Sequence, residues 1–158
     1  MLDLYAGTGA LGLEALSRGA AHATFVERGK DAVLALRNNI ASLDVTARAR
    51  VVVGSVDRAA SLLGVTLGDA GASAFDLIFA DPPYADVPTG SVARALAALA
   101  SAELISFGGC VVLEHAHADA PPDVTGLTRG ETRRYGDTAL TFYEAPARRA
   151  AAPLATGS

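Results

Sequence analysis

Short apolar runs alternate with amphipathic stretches along this chain, and turn residues punctuate them. Met1–Tyr5 reads as a strand, followed by a turn at Ala6–Gly9 and a helix from Ala10 to Arg18. Gly19 suits a left-handed helix cap, with Arg18 near the negative helix end. Ala23–Glu27, apolar and partly β-branched, predicts a second strand. Over Asp31–Leu43 the spacing of Leu36, Ile40 and Leu43 predicts one buried helix face, with Arg37 and Asn38 off it. Arg50–Val53 is a third strand, Val56–Leu63 a short helix and Gly64–Ala74 a loop. Phe75–Ala80 reads as a buried strand stopped by Asp81-Pro82-Pro83-Tyr84, where two prolines end any ladder or helix. Ser91–Leu104 is a helix with Val92, Leu96 and Leu99 inward; Gly108-Gly109 is a turn, and Cys110–His115 a fifth strand. Pro121-Pro122 sits in a loop. Leu127–Tyr135 and Thr138–Ala145 form a hairpin around Gly136-Asp137. The Ala-, Pro- and Arg-rich tail Pro146–Ser158 is expected to be disordered.

Strands alternating with helices imply an α/β domain whose parallel sheet is covered on both faces, with the hairpin as an antiparallel edge. A length of 158 residues suits one domain, and no linker or repeat divides it. Half the residues are hydrophobic, which argues against disorder. No apolar run reaches membrane-spanning length, and no secretory leader pattern is visible. Cys110 is alone, which excludes an internal disulfide and a cysteine-rich metal site. A cytoplasmic protein is the plain expectation. Met1 opens almost inside the first strand, so an N-terminal segment is expected to be missing.

Two motifs carry chemistry. Asp3-Leu4-Tyr5-Ala6-Gly7-Thr8-Gly9 ends the first strand and leads into a helix containing Gly12. Glycines there let the backbone turn sharply and approach a ligand, and helix amides add a positive end. Gly7-x-Gly9-x-x-Gly12 satisfies the dinucleotide fingerprint, and Glu27 ends the second strand where a ribose-binding carboxylate belongs. Two readings compete, a nicotinamide enzyme and a methyltransferase, and Asp3 helps decide between them. A carboxylate there would repel a pyrophosphate and would suit an amine-bearing cation such as the methionine part of S-adenosylmethionine.

The second motif, Asp81-Pro82-Pro83-Tyr84, follows the fourth strand. In open α/β sheets ligands sit beyond the carboxyl ends of strands, near the switch in strand order. Strands one and four should flank that switch, so both motifs should meet in one crevice. An exocyclic base amine is a poor nucleophile, because its lone pair is spread into the ring. Asp81 can accept one amine hydrogen and the Pro82 carbonyl another, which stabilises positive charge as it develops. Asp81 can also take the proton late. Pro82 and Pro83 fix the carbonyl direction, and Tyr84 offers a ring on which a flipped base stacks. A proline turn capped by Asp is the structural alternative.

Asp3–Ala20 (DLYAGTGALGLEALSRGA), Phe25–Glu27 (FVE), Asp81–Tyr84 (DPPY) and Arg133–Glu144 (RRYGDTALTFYE) together resemble the RsmD family of bacterial enzymes that methylate guanine N2 in 16S ribosomal RNA. The resemblance covers roughly Met1 to Ala145. It implies a class I methyltransferase (Rossmann-like) fold: a mostly parallel seven-stranded sheet with a C-terminal antiparallel hairpin. It implies S-adenosylmethionine as methyl donor and S-adenosylhomocysteine as product. By matched position, Asp3, Tyr5, Ala6, Gly7, Gly9, Glu27, Arg28, Ser55, Val56 and Asp81 would bind the donor, with Glu27 on the ribose and Gly54-Ser55-Val56 by the adenine. Related enzymes often place an Asp or Asn at that last position; here it is absent or displaced to Asp57. Asp81, Pro82, Pro83 and Tyr84 would handle the guanine. The implied partner is 16S rRNA or the assembling small ribosomal subunit, with no membrane and no metal, and a monomer as the expected state. The family normally carries a further basic N-terminal segment before its first strand, the segment expected to be missing here.

The net charge of −4 does not advertise a nucleic-acid partner, since phosphate attraction normally shows as a basic patch. Arg129, Arg133 and Arg134, with Arg148 and Arg149 in the tail, leave room for a local basic face; a solvated surface explains them equally. His115, His117 and Asp119 are too loosely spaced for a metal site and read as solvated strand-end residues. Ser17 and Ser61 have no base partner, and Cys110 reads as inert packing. Three alternatives remain: an adenine-N6 methyltransferase, a nicotinamide oxidoreductase, and a non-catalytic binding module.

Overall fold

A computed structural model describes residues 1–67 and 74–147. Eleven principal elements follow one another: β1 (Leu2–Leu4), α1 (Ala10–Ser17), β2 (Ala23–Glu27), α2 (Lys30–Ser42), β3 (Ala49–Val53), α3 (Ala59–Leu67), β4 (Phe75–Ala80), α4 (Ser91–Ser101), β5 (Ile105–Ala116), β6 (Thr128–Tyr135) and β7 (Thr138–Glu144). The strands form one seven-stranded sheet in the order β3-β2-β1-β4-β5-β7-β6. The first five are parallel; β7 runs antiparallel to β5, and β6 antiparallel to β7. The chain therefore builds outward from β1 through β2 to β3, then returns to the other side of β1 for β4 and β5. That reversal opens a crevice beyond the carboxyl ends of β1 and β4.

Burial on both faces explains why the central strands are mostly apolar. Leu2, Leu4, Val26, Ile78 and Leu113 pack in one core with Leu63 of α3 and Leu96 and Leu99 of α4. Phe25 packs on the opposite face with Leu16 of α1 and Leu36 and Ile40 of α2. Each such side chain removed fully from water contributes about 1.5–3 kcal/mol.

Several boundaries depart from the sequence expectation. On α2 the inner face is Val33, Leu36 and Ile40, whereas Leu43 is 59% exposed. Leu43 caps the helix, where the chain is already leaving the core. The expected helix Val56–Leu63 is a 3₁₀ turn, Val56–Arg58, followed by α3, which runs through Gly64 to Leu67. One glycine inside a helix weakens it without ending it. Of the expected loop Gly64–Ala74, residues 68–73 lie outside the described residues. α4 stops at Ser101 rather than Leu104, because Glu103 adopts φ +56° and turns the chain into β5.

Gly108-Gly109 is not a turn that separates elements. β5 passes through it, and the register moves from Phe75–Ile105 to Leu77–Cys110. That irregularity is a bulge, with Gly108 at φ +70°, a conformation glycine adopts without steric penalty. Hydrogen bonds to the chain just beyond β7 hold the strand there: Gly108 N–H donates to the Pro146 carbonyl and Ala145 N–H to the Gly109 carbonyl. The expected disordered tail lies outside the described residues from 148 onward.

His115 is also placed differently. It is 1% exposed rather than solvated. Its Nε2 lies 2.8 Å from Thr141 Oγ1 and its Nδ1 2.9 Å from the Ala116 carbonyl oxygen. The neighbouring antiparallel strand β7 covers it, a consequence of β5 being central rather than an edge.

Candidate functional site

The glycine turn is shaped by packing as much as by any ligand. Tyr5 (φ +59°), Gly7 (φ +54°) and Gly9 (φ +87°) all take left-handed backbone conformations. A Cβ on Gly9 would sit 2.3 Å from Leu36 Cδ1, and one on Gly12 2.3 Å from Phe25 Cε1. α1 therefore lies directly against β2 and α2, and only glycine fits where it crosses. Tyr5 holds its strained conformation without that exemption, at the lip of a cleft, as residues at ligand sites often do.

Two carboxylates brace this turn. Asp3, 1% exposed, accepts the Gly12 amide on Oδ2 at 2.9 Å and so ties β1 to α1. Burial pushes its carboxyl up to about 6; the Gly12 amide opposes that rise, and the negative charges of Asp81 and Glu27 add to it. Glu27 accepts three backbone amides: Gly7 on Oε2 at 2.8 Å, and Arg28 and Gly29 on Oε1 at 2.8 and 2.7 Å. The Gly54 amide reaches the Glu27 carbonyl at 2.9 Å, which brings the end of β3 to the same place.

Beyond the strand ends lies a cleft of about 880 Å³. Leu4 pairs with Ala80 across the β1–β4 seam, so Tyr5 and Asp81 leave their strands side by side. Asp81 is solvent-exposed, and the desolvation it does undergo raises its carboxyl above the usual range. Pro82 is buried behind it. Tyr84 is 46% exposed, and its hydroxyl lies 2.8 Å from Thr138 Oγ1 at the start of β7. The terminal hairpin thus holds the aromatic ring of the double-proline corner.

Of the residues singled out in the sequence, Tyr5, Glu27, Arg28, Ser55, Val56, Asp81, Pro82, Pro83 and Tyr84 line this one cleft. Asp3, Ala6, Gly7 and Gly9 do not; they form the buried brace and turn beneath it. Val56 is 6% exposed, and Ser55 Oγ donates to Asp57 at 3.2 Å. Five lining residues carried no site expectation: Val26, Asp86, Thr89, Ser91 and Glu114. Glu114 left a signal, a carboxylate interrupting the apolar run Val111–Leu113 at the end of a central strand. Asp86, Thr89 and Ser91 left none, because the short turn that gathers them depends on the 3₁₀ segment Tyr84–Asp86.

Five carboxylates (Glu27, Asp57, Asp81, Asp86 and Glu114) and one guanidinium, Arg28, line the cleft. Such a lining concentrates negative potential and favours a cationic ligand. Elsewhere, Arg133 pairs with Glu131 and lies 5.1 Å from the Phe142 ring centroid, while Arg129 pairs with Asp123 at 3.3 Å. Among the described residues no helix is long and apolar enough to cross a membrane.

Comparison with known proteins bears on this geometry. A family model described as "Conserved hypothetical protein 95" matches residues 1–144. YlbH of Bacillus subtilis, whose name carries a provisional rRNA methyltransferase assignment, is 34% identical over 146 residues, 90% of this chain and 74% of that protein. Ribosomal RNA small subunit methyltransferase D of Escherichia coli is 41% identical over 83 residues, 52% of this chain and 37% of the enzyme. Among solved structures, yhhF of Escherichia coli, provisionally named a methyltransferase, superposes with a TM-score of 0.75 at 30% identity; the match covers 93% of this chain and 76% of that one.

Proposed function

The chain belongs to the conserved hypothetical protein 95 family, the RsmD-type family its motifs resemble, and from that premise we propose that it methylates the exocyclic N2 amine of a guanine in 16S ribosomal RNA, with S-adenosylmethionine as donor. The observation that carries this reading is the β1–β4 seam: Leu4 pairs with Ala80, so Tyr5, at the head of the glycine turn, and the Asp81-Pro82-Pro83-Tyr84 corner line one cleft.

The residues present suit the donor. A cleft of about 880 Å³ is within the range of about 300–1,000 Å³ typical of small-molecule sites. Its acidic lining suits a sulfonium and an ammonium group. Glu27 would take ribose hydroxyls with the acceptor capacity its three amides leave, since an ionised carboxylate offers about four lone-pair sites. Val56 would supply an apolar wall. Asp3 would act from below, by holding the turn and contributing negative charge, rather than from the cleft lining. When bound, the donor supplies an electrophilic methyl group on sulfur.

The protein's own contribution is to hold the amine. Asp81 accepts one amine hydrogen and the Pro82 carbonyl the other, which favours a pyramidal nitrogen with its lone pair free. Both acceptors stabilise positive charge building on that nitrogen. Asp81 then receives the proton, and the desolvation that raises its carboxyl moves it toward that task. Tyr84, steadied by Thr138, offers a face for the extruded base. Positioning supplies a large part of the rate. The nicotinamide alternative loses support here, because Glu27 already engages the Gly7 amide that a pyrophosphate would need.

Methyl transfer from labelled donor to unmethylated small-subunit RNA, followed by digestion to nucleosides, tests the proposal. Label in N2-methylguanosine is the expected result. Label in N6-methyladenosine, or none in RNA, would overturn it.

A further inference from the structure

Glu114 is a carboxylate of the cleft, beside Asp81, that the donor and amine assignments leave without work. It lies on β5, and its position is set by the sheet: Ala80 pairs with Leu113, so Asp81 and Glu114 are the next residues out on adjacent parallel strands. Neighbouring strands are about 4.8 Å apart, which places the two side chains beside each other at the mouth of the same cleft. The alternation of β4 and β5 agrees. Ile78, Ala80, Val111 and Leu113 face one core, so Asp81 and Glu114 emerge on the opposite side together. Their charges interact, and desolvation together with Asp81 raises the Glu114 carboxyl above its usual range. Two like charges held this close are unfavourable without a shared cation or a row of donors between them.

We propose that Glu114 is the residue that selects guanine, by accepting the ring N1–H beside the amine held by Asp81. This inference rests on the proposed function and deepens it. Guanine presents two neighbouring kinds of donor on its Watson–Crick edge, the N2 amine and N1–H. Two side-by-side carboxylates, which only accept hydrogen bonds when ionised, match that row. Adenine presents an amine next to a bare N1 lone pair. Glu114 would face that lone pair with a carboxylate oxygen, acceptor against acceptor, and the base would be rejected. A site built to pair a substrate N–H discriminates strongly against an analogue that lacks it, because its own polar group is left unpaired. The Asp81-Pro82 corner cannot make this distinction, since both bases offer it the same amine.

The analogue 2-aminopurine keeps the N2 amine and lacks both N1–H and O6, so the change in preference on replacing Glu114, rather than the preference itself, reads the N1 contact. After the methylated guanine has been mapped in small-subunit RNA, splinted ligation places guanine or 2-aminopurine at that position, and kcat/KM is measured for the wild-type chain and Glu114→Gln. The wild type is expected to prefer guanine by at least about 100-fold. Glu114→Gln, which can donate to a bare N1 by turning its amide, should narrow the preference to below about tenfold. Its donor affinity, read by calorimetry, should match the wild type and show that the cleft is intact. Equal use of the two bases by the wild type, or an unchanged ratio in Glu114→Gln, would overturn the assignment while leaving guanine methylation standing. Failure of the wild type to methylate any guanine would instead remove the proposed function, and this inference with it.

Discussion

Glu27 Oε2 accepts the Gly7 amide at 2.8 Å, a bond that joins residues 20 positions apart and fastens the turn after β1 to the end of β2. The other oxygen of the same carboxylate takes Arg28 and Gly29. One side chain therefore organises two of the loops around the cleft. Glu27→Ala releases three amides and is expected to destabilise the fold by about 1–3 kcal/mol. It should also weaken S-adenosylhomocysteine binding by at least about tenfold, given hydrogen bonds to a charged group of about 1.5–3 kcal/mol. Urea denaturation and calorimetry measure the two effects separately.

Glycine substitutions separate packing from flexibility. Gly12→Ala would drive a methyl group into the Phe25 ring, 2.3 Å away, and to 3.0 Å from Asp3 Oδ2. A loss of about 1–3 kcal/mol is expected from this overpacking. Gly64→Ala lies within α3 and meets nothing within 4 Å, so it should stabilise the chain by about 0.5–1 kcal/mol. Chemical denaturation of the two variants should move in opposite directions.

Asp3 gives stability a pH dependence of definite sign. Its folded carboxyl titrates at about 6, against an ordinary value of 3.8. Between those values the folded chain binds more protons than the unfolded one, so this residue lowers stability as pH rises from about 4 to about 6, with no further change above. Asp3→Asn keeps an oxygen for the Gly12 amide and removes the charge. It should be more stable than the wild type at pH 8, by no more than about 3 kcal/mol, with the gap closing near pH 4. Weaker donor binding by the same variant would show why an ionisable group is retained there. Urea titrations across this range, with donor titrations at pH 8, check both statements.

The first five strands, their order about β1 and β4, and the meeting of the two motifs were legible in the sequence because each depends on local signals. Apolar runs such as Phe75–Ala80 end at glycine or proline, and parallel pairing then leaves few topologies. What was not legible depends on contacts distant in the chain. The Gly108-Gly109 pair looks like a terminator until the β4 and β7 ladders on either side are known. His115 looks solvated until β7 covers it. Asp3 looks like a cleft residue until the Gly12 amide is found on its Oδ2. Glu114 was passed over because its meaning lies in the register with Asp81, a property of two strands and not of either one.

The contact between Tyr84 and Thr138 spans 54 residues and links the double-proline corner to the hairpin. Tyr84→Phe and Thr138→Val should each raise KM for RNA several-fold and leave donor affinity unchanged. If the hydrogen bond is what matters, the double variant should be little worse than either single one, a coupling of about 0.5–1 kcal/mol. Steady-state kinetics on the four proteins provides the cycle.

The division of labour between the two motifs is tested most directly by Asp81→Ala in single-turnover methyl transfer, with donor affinity measured on the same preparation. Transfer is expected to fall by at least about 1,000-fold while donor affinity stays close to that of the wild type. Donor binding lost together with transfer, or transfer preserved, would contradict that division.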